Sequence, residues 1–234
     1  MKKRLLALAL CACLLVCAGC STTKAQINQY NATLYVRGVL DETYTGAVSD
    51  EYAKLTGFTD KDVEKTYRNN LLSEFSQRVA VRFELNETYL KADLKSDYLT
   101  LLETVYAKSH YTVGQATPLE RGRYCVEVSV TPVTFFHAAY ADGYAALRAD
   151  FEKTHSLPDE EAQKKMDSAQ LRKAIERYEN LWAQEVYDYL YARLDAITTG
   201  GAVTKLVLVS PDSSGNYTLS PTDFQDLDDL ILQY

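Results

Sequence analysis

The sequence predicts an α+β protein in which long helices pack on an antiparallel sheet built from two β-hairpins. Three observations support this class. Apolar residues recur at helical spacing over several long segments. Two pairs of short alternating stretches are separated by turn residues. Strands and helices do not alternate one by one, as they would in a parallel α/β fold.

Three helices are predicted before the first hairpin. The first covers about residues 27–45 and leads into an irregular connection, residues 46–57. The second begins with Thr59, which can form a capping box with the residue three positions later, and runs to about residue 85. The alternative is an end near Arg78, because residues 79–85 alternate like a strand. Asn86 is expected to cap the third helix, which runs to about Ser109. The predicted inner side of the first helix carries Ile27, Tyr30, Leu34 and Leu40.

Four short stretches are predicted to pair as two hairpins. Residues 111–116 and 124–131 form the first pair, and Pro132 ends its second strand. Residues 203–209 and 217–219 form the second pair. The second strand is the clearest of the four, because alternate residues are apolar and so predict one buried face. These alternating residues are Tyr124, Val126, Val128 and Val130.

The second half of the chain predicts three further helices. One covers about residues 135–155. The longest covers about residues 167–198, ends at Gly200-Gly201, and is expected to be the core helix of the fold. The closing helix begins at Ser220, because an N-cap serine is followed directly by a proline at the first helical position. Residues 159–165 are expected to form a charged linker with a turn or two of helix.

The chain begins with the features of a lipoprotein signal peptide. Residues 1–4 are basic, residues 5–16 are apolar, and this run is too short to span a bilayer. The segment LLVCAGC, residues 14–20, reads as a lipobox, so Cys20 is the predicted lipidation site and first mature residue. The alternative is an ordinary signal peptide cleaved after Ala18, with Cys20 an incidental thiol.

This signal gives the predicted domain organisation. Residues 1–19 form the signal peptide that is removed, and residues 20–26 form a lipidated tether. Residues 27–234 form a single α+β domain. Two helix-pair-plus-hairpin units, residues 27–133 and 134–234, are a hypothesis within it, because no repeat at the level of residues supports a duplication.

Charge limits the partners. The chain has a formal net charge of −7, which becomes −10 once Lys2, Lys3 and Arg4 are removed. An acidic protein repels nucleic acid and anionic lipid headgroups alike. We therefore expect no nucleic-acid partner, and we expect the lipid on Cys20 to hold the protein on the outer face of the cell membrane.

The sequence predicts no catalytic residue, metal site or cofactor. His110, His137 and His155 lack the spacing of metal ligands, and His110 is expected to meet free carbonyls at a helix end. Cys125 has no neighbouring histidine and is expected to be an inert thiol. The acidic residues of the closing helix are not in a calcium-binding loop, and the two nearest its start are explained by the helix dipole. These residues are Asp223, Asp226, Asp228 and Asp229.

Tyrosine is unusually frequent. The chain has 18 tyrosines, 7 phenylalanines and one tryptophan. A tyrosine ring with its polar tip suits shallow surfaces that meet proteins, peptides or glycans. It equally suits the outer shell of a small core. If some tyrosines bind a partner, we expect Tyr187 and Tyr191, one helical turn apart and away from the main apolar stripe, to do so.

Several segments resemble a known family. They are Val39-Leu40-Asp41-Glu42-Thr43-Tyr44, Tyr52-Ala53-Lys54-Leu55-Thr56-Gly57-Phe58, Lys108-Ser109-His110-Tyr111-Thr112-Val113 and the closing helix through Leu232. Together they resemble a Gram-positive bacterial lipoprotein family known only as a domain of unknown function. The resemblance covers most of the mature chain and implies a lipid-anchored protein. It implies no active-site residue.

The sequence is compatible with three classes of function. The leading interpretation is a membrane-anchored extracytoplasmic lipoprotein that is not an enzyme and serves as a binding or envelope-interaction module. The alternative is a solute-capture component of a transport system, although such proteins usually have two α/β lobes. An unrecognised hydrolase is the third interpretation.

Overall fold

The computed structural model describes residues 24–234, with side chains from Asn28 onward. The predicted signal peptide and Cys20 lie outside the described residues. The α+β class and the antiparallel sheet are confirmed. The helices are α1 Lys24–Tyr44, α2 Asp50–Thr56, α3 Asp60–Glu74, α4 Ala92–Tyr106, α5 Phe135–Ala139, α6 Ala145–Thr154, α7 Glu160–Lys165, α8 Ser168–Tyr191 and α9 Pro221–Ile231. The strands are β1 His110–Val113, β2 Thr117–Pro118, β3 Tyr124–Thr131, β4 Val203–Pro211 and β5 Tyr217–Leu219.

Two of the helices continue through π-helical turns. Phe75–Val79 extends α3 into Ala80–Arg82, and Tyr140–Tyr144 joins α5 to α6. The start of α3 is as predicted, because Thr59 forms a capping box with Asp62. The start of α9 is also confirmed, because the Ser220 side chain accepts a hydrogen bond from the amide of Asp223.

Strand β3 is the centre of the sheet. It pairs antiparallel with β4 along almost its whole length, from Tyr124 opposite Val209 to Val130 opposite Val203. Strands β1 and β2 share its other edge, and β5 pairs with β4. Since β3 and β4 come from the two hypothetical helix-pair-plus-hairpin units, the sheet joins both halves of the chain.

The first strand pair is not a simple hairpin. The strand predicted over residues 111–116 ends at Val113, and β2 pairs separately with the start of β3. Between them the chain turns toward α1, where the amide of Ala116 donates to Oγ1 of Thr33 at 2.8 Å. This contact between helix and loop, which periodicity cannot reveal, separates β1 from β2.

The buried side chains of the helices and the sheet form one hydrophobic cluster. Trp182, in the middle of α8, is fully buried, and its Nε1 donates to the carbonyl of Phe83 at 3.0 Å. This bond satisfies the only polar atom of the indole. The predicted place of α8 in the core agrees with the burial of Trp182, Val186 and Leu190.

The predicted inner side of α1 is partly wrong. Tyr30 is 58% exposed, whereas the fully buried residues follow one row at four-residue spacing. These residues are Ala32, Val36, Leu40 and Tyr44. The row begins with small side chains, which let the helix approach the sheet closely.

Asn86 does not cap α4. That helix begins six residues later, and the amide of Lys91 donates to Oδ1 of Asn180, a residue of α8. The amide group of Asn180 also donates to the carbonyl of Tyr89 at 2.6 Å. A buried side chain from a distant helix thus fixes the chain just before α4, whose N-cap residue Lys91 forms no side-chain capping bond.

Two further predicted ends were wrong. Helix α8 ends at Tyr191 and not near residue 198, because the following chain returns to the sheet, where the amide of Gly200 donates to the carbonyl of Pro132. His110 does not meet a helix end. It belongs to β1, opposite Thr131.

Residues 46–57 contain a helix that the sequence analysis left irregular. Ser49 caps α2, since its side chain accepts the amide of Tyr52, and Gly57 ends the helix with a left-handed backbone, φ 77°. Tyr52 is 2% exposed. Its ring lies against Gly38 of α1, where a Cβ atom would come within 1.9 Å of Cδ2. Glycine therefore allows α2 to pack directly on α1.

Candidate ligand-binding site

One side of α1 forms the floor of a cleft. Its residues recur at intervals of three or four, which places them in one row along the helix. They are Asn28, Asn31, Tyr35, Val39 and Glu42. This row combines amides, a ring and a carboxyl group, so α1 turns one face to the core and another to the cleft.

The walls come from two other parts of the chain. Tyr52 and Phe58, in and after α2, form one wall, and Tyr217, at the start of β5, forms another. The turn before β5 is held by Asp212, whose carboxylate accepts the amides of residues 214 and 216. The hydroxyl of Tyr217 donates to the carbonyl of Asn28 at 3.0 Å, which fixes the hairpin to α1.

We call this site the tyrosine cleft and define it by Tyr35, Glu42, Tyr52, Phe58 and Tyr217. The Tyr35 ring lies between two others, with its centre 6.2 Å from that of Tyr52 and 6.0 Å from that of Tyr217. Phe58 meets Tyr52 edge to face at 6.3 Å. The cleft has a volume of about 570 Å³, within the range of small-molecule sites.

Glu42 is the unusual residue of the tyrosine cleft. It is 5% exposed. Its Oε2 accepts a hydrogen bond from the hydroxyl of Tyr52 at 3.1 Å. Its Oε1 is buried and has no hydrogen-bond partner among the described residues. A buried carboxylate oxygen without a donor is costly, and a ligand reaches this covered atom only when the side chains over it move.

The electrostatics of the cleft follow from Glu42. None of the described residues that line it is lysine or arginine, and Glu42 is its one acidic residue. Burial, and then the charge of Glu42, hold the pKa of Tyr52 far above its ordinary value. The hydroxyl of Tyr52 therefore stays protonated and remains a donor to Oε2.

A second cleft, of about 550 Å³, lies between α4 and α8. Its charged residues have both signs and are exposed, and they include Lys91, Asp93, Lys173 and Glu176. Such exposed mixed charges are well satisfied by water. The tyrosine cleft therefore carries the stronger indication of a ligand.

The structure places Tyr187 and Tyr191 on α8, away from the tyrosine cleft. Their rings stack on each other with centres 5.6 Å apart. Tyr191 is 59% exposed, whereas Tyr187 is half-buried and meets the buried ring of Tyr98 at 5.4 Å. A role of this pair in binding a partner stays a prediction.

The different surroundings of the two rings predict different effects of truncation. We expect Tyr191→Ala to change the free energy of unfolding by less than about 0.5 kcal/mol. We expect Tyr187→Ala to lower it by about 1–2 kcal/mol, because the Tyr98 contact is lost. Urea denaturation of the two single variants measures both values. Equal losses would show that the two rings share one environment.

The acidic residues of α9 have partners that the sequence analysis missed. Asp223 accepts the amide of Leu208 at 2.7 Å, and Asp226 pairs with Lys205 at 2.6 Å, so both tie α9 to β4. Asp228 lies deeper and accepts the hydroxyl of Tyr44. These contacts, more than an interaction with the helix dipole, therefore explain the acidic residues of α9.

The three histidines lie apart in the fold. His110 belongs to β1, Nδ1 of His137 lies 3.3 Å from the carbonyl of Tyr234, and His155 stacks on Phe151. Cys125 lies in β3 opposite Leu208. Within residues 24–234 no group of three or more His, Cys, Asp or Glu side chains is arranged to hold a metal ion.

The sequence alone does not predict the tyrosine cleft, although two of the segments that resemble the lipoprotein family supply three of its five defining residues. Residues 39–44 contain Glu42, and residues 52–58 contain Tyr52 and Phe58. A useful signal was the row of polar and aromatic residues on α1. The burial of Glu42, however, depends on α2 and on the β4–β5 turn, which no local pattern shows.

Comparison with known proteins supports the fold. No protein-family model and no curated protein matches the chain. The structure is similar to the 2.62 Å crystal structure of a Bacillus subtilis protein, ycdA, provisionally described as a lipoprotein. The TM-score is 0.54 at 13% sequence identity, and the match covers 91% of this chain and 60% of that one. The chain thus spans about three fifths of that protein's length.

This similarity concerns the fold alone. It agrees with the resemblance to a lipoprotein family, and it identifies no family and transfers no ligand. Among the helices that the structure describes, none is long and apolar enough to cross a membrane.

Proposed function

We propose that this protein is a lipid-anchored, extracytoplasmic binding protein that takes its ligand in the tyrosine cleft. The observation that carries the proposal is the buried carboxylate of Glu42 beneath aromatic walls, in a cleft of about 570 Å³. Its lining offers charge, amides and rings, which are groups that recognise a ligand. Binding, and not chemical conversion, is therefore the proposed activity.

The proposed anchor places the cleft near the membrane. Asn28, at one end of the cleft floor, is eight residues from Cys20. Five of those residues, 24–28, belong to α1, so the lipid and this end of the cleft are separated by at most about 20 Å. A ligand released at or held on the membrane surface would therefore meet the cleft at short range.

Replacement of Cys20 tests the anchor. In the native host we expect Cys20→Ser to abolish acylation, because a serine cannot form the thioether and the acyl chains have no other attachment site. Intact-mass analysis measures this result. The matched control is Cys17→Leu, which changes a neighbouring cysteine to the usual lipobox residue and is expected to leave the protein acylated.

Two results would contradict the anchor. One is an unacylated N-terminus on the wild-type protein. The other is a Cys20→Ser variant whose mass still includes the acyl chains.

A further inference from the structure

We propose that the ligand of the tyrosine cleft carries a protonated primary amine, which binds Oε1 of Glu42 and lies against the rings of the cleft. This inference rests on the proposed binding function and names its ligand class. The group sought is an alkylammonium, either on a free amine or at the end of a lysine side chain.

The charge of the cleft lining favours a cationic ligand. The described lining contains one acidic side chain and neither lysine nor arginine. Among the described residues Glu42 forms no ion pair within 4.0 Å. A negative charge in a partly enclosed, weakly screened site attracts a cation and repels an anion.

The hydrogen bonding of Glu42 favours a ligand with N–H donors. The hydroxyl of Tyr52 already satisfies Oε2 of Glu42, and Oε1 is left without a donor among the described residues. An ammonium group has three N–H donors and no acceptor, so it can satisfy Oε1 once the side chains that cover this atom move. A quaternary ammonium has the same charge but no N–H, and it leaves this oxygen unsatisfied.

The aromatic rings of the cleft favour a cation with an alkyl chain. Four rings line the cleft, and one of them, Tyr52, contacts the carboxylate through its hydroxyl. The faces of tyrosine and phenylalanine rings attract cations. They also cover the methylene groups of an alkyl chain.

A set of four matched probes tests the inference on the full chain in detergent. n-Butylammonium is a small free amine with a primary ammonium on a four-carbon chain. Nα-acetyl-lysine amide carries the same chain and ammonium on a peptide unit. n-Butyltrimethylammonium keeps the charge without N–H donors, and pentanoate reverses the charge. NMR titration at millimolar concentrations gives each dissociation constant.

We expect at least one of the two primary amines to bind about tenfold more tightly than the trimethyl probe, and pentanoate not to bind. Which of the two binds better distinguishes a free amine from a lysine side chain. Glu42→Gln should weaken binding about tenfold or more. Glu51→Gln, which removes the same charge from an exposed position on α2, should leave it unchanged.

The outcomes separate this inference from the proposed function. Equal binding of the primary and trimethyl probes, tighter binding of pentanoate, or full affinity in the Glu42→Gln variant would overturn the amine assignment and leave the cleft as a site for another ligand. Absence of binding by both primary amines would also overturn it. The anchor is tested independently at Cys20. The preference among probes is measured on the wild-type protein, so the test does not depend on any variant folding.

Discussion

Replacing Gly38 with alanine is expected to lower the free energy of unfolding by about 2–3 kcal/mol and to open the tyrosine cleft. The new Cβ would come within 1.9–2.3 Å of three ring atoms of Tyr52. Because these atoms include Cγ, the base of the ring, α2 itself must move. The variant should then lose the burial of Tyr52 and its bond to Glu42, which outweighs the better helix propensity of alanine.

A double-mutant cycle supplies the control for this prediction. In a Tyr52→Ala background the obstructing ring is gone, so Gly38→Ala should stabilise the protein by about 0.5–1 kcal/mol through helix propensity alone. Urea denaturation of the four proteins measures the reversal of sign. If Gly38→Ala destabilises both backgrounds equally, the contact with Tyr52 does not explain the glycine.

The second large effect concerns Glu74, a buried acid of α3 that is 8% exposed. Burial, and then the negative charge of Asp228, raise the pKa of Glu74 from 4.5 to about 7. Burial also raises the pKa of Asp228. Arg78 pairs with Asp228 and Asp229, and it only partly offsets the repulsion.

The sign of the pH dependence follows from this shift. Between its unfolded and folded pKa values Glu74 binds a proton more strongly in the folded protein. Its stabilising contribution is thus complete below pH 4.5 and is lost as the pH rises to about 7. The full shift corresponds to about 3 kcal/mol.

Glu74→Gln removes this ionisation. We expect the variant to be close to the wild type in stability at about pH 5 and more stable by up to about 3 kcal/mol at about pH 8, as measured by urea denaturation. Glu64→Gln, on an exposed position of the same helix, should show no such pH-dependent difference. Equal destabilisation by Glu74→Gln at both pH values would show that Glu74 is ionised and well paired.

Features encoded by neighbouring residues were predicted well. The capping box at Thr59, the alternating strand β3 and the serine and proline that start α9 each depend on a few adjacent side chains. Features that depend on distant partners were missed. Asn180 holds the chain just before α4, and Gly200 bonds to Pro132 after the end of α8. Periodicity contains no information on either contact.

The same distinction between local and distant contacts explains why the candidate site is not predicted from the sequence. The high frequency of tyrosine is visible in the sequence, but the pattern that favoured Tyr187 and Tyr191 as a binding pair belongs to one helix alone. The tyrosine cleft needs α1, α2 and the β4–β5 turn together. Glu42 stands on α1 like an ordinary surface acid in the sequence, and only the tertiary packing around it buries it to 5% exposure. The chemistry of the cleft is therefore a product of tertiary structure.

A high-resolution crystal structure grown with n-butylammonium tests the cleft most directly. We predict the ammonium nitrogen at about 2.8–3.0 Å from Oε1 of Glu42, with the alkyl chain against the rings of Tyr35 and Tyr217. A side-chain or backbone donor of the protein bonded to Oε1, with the amine elsewhere or absent, would contradict the account.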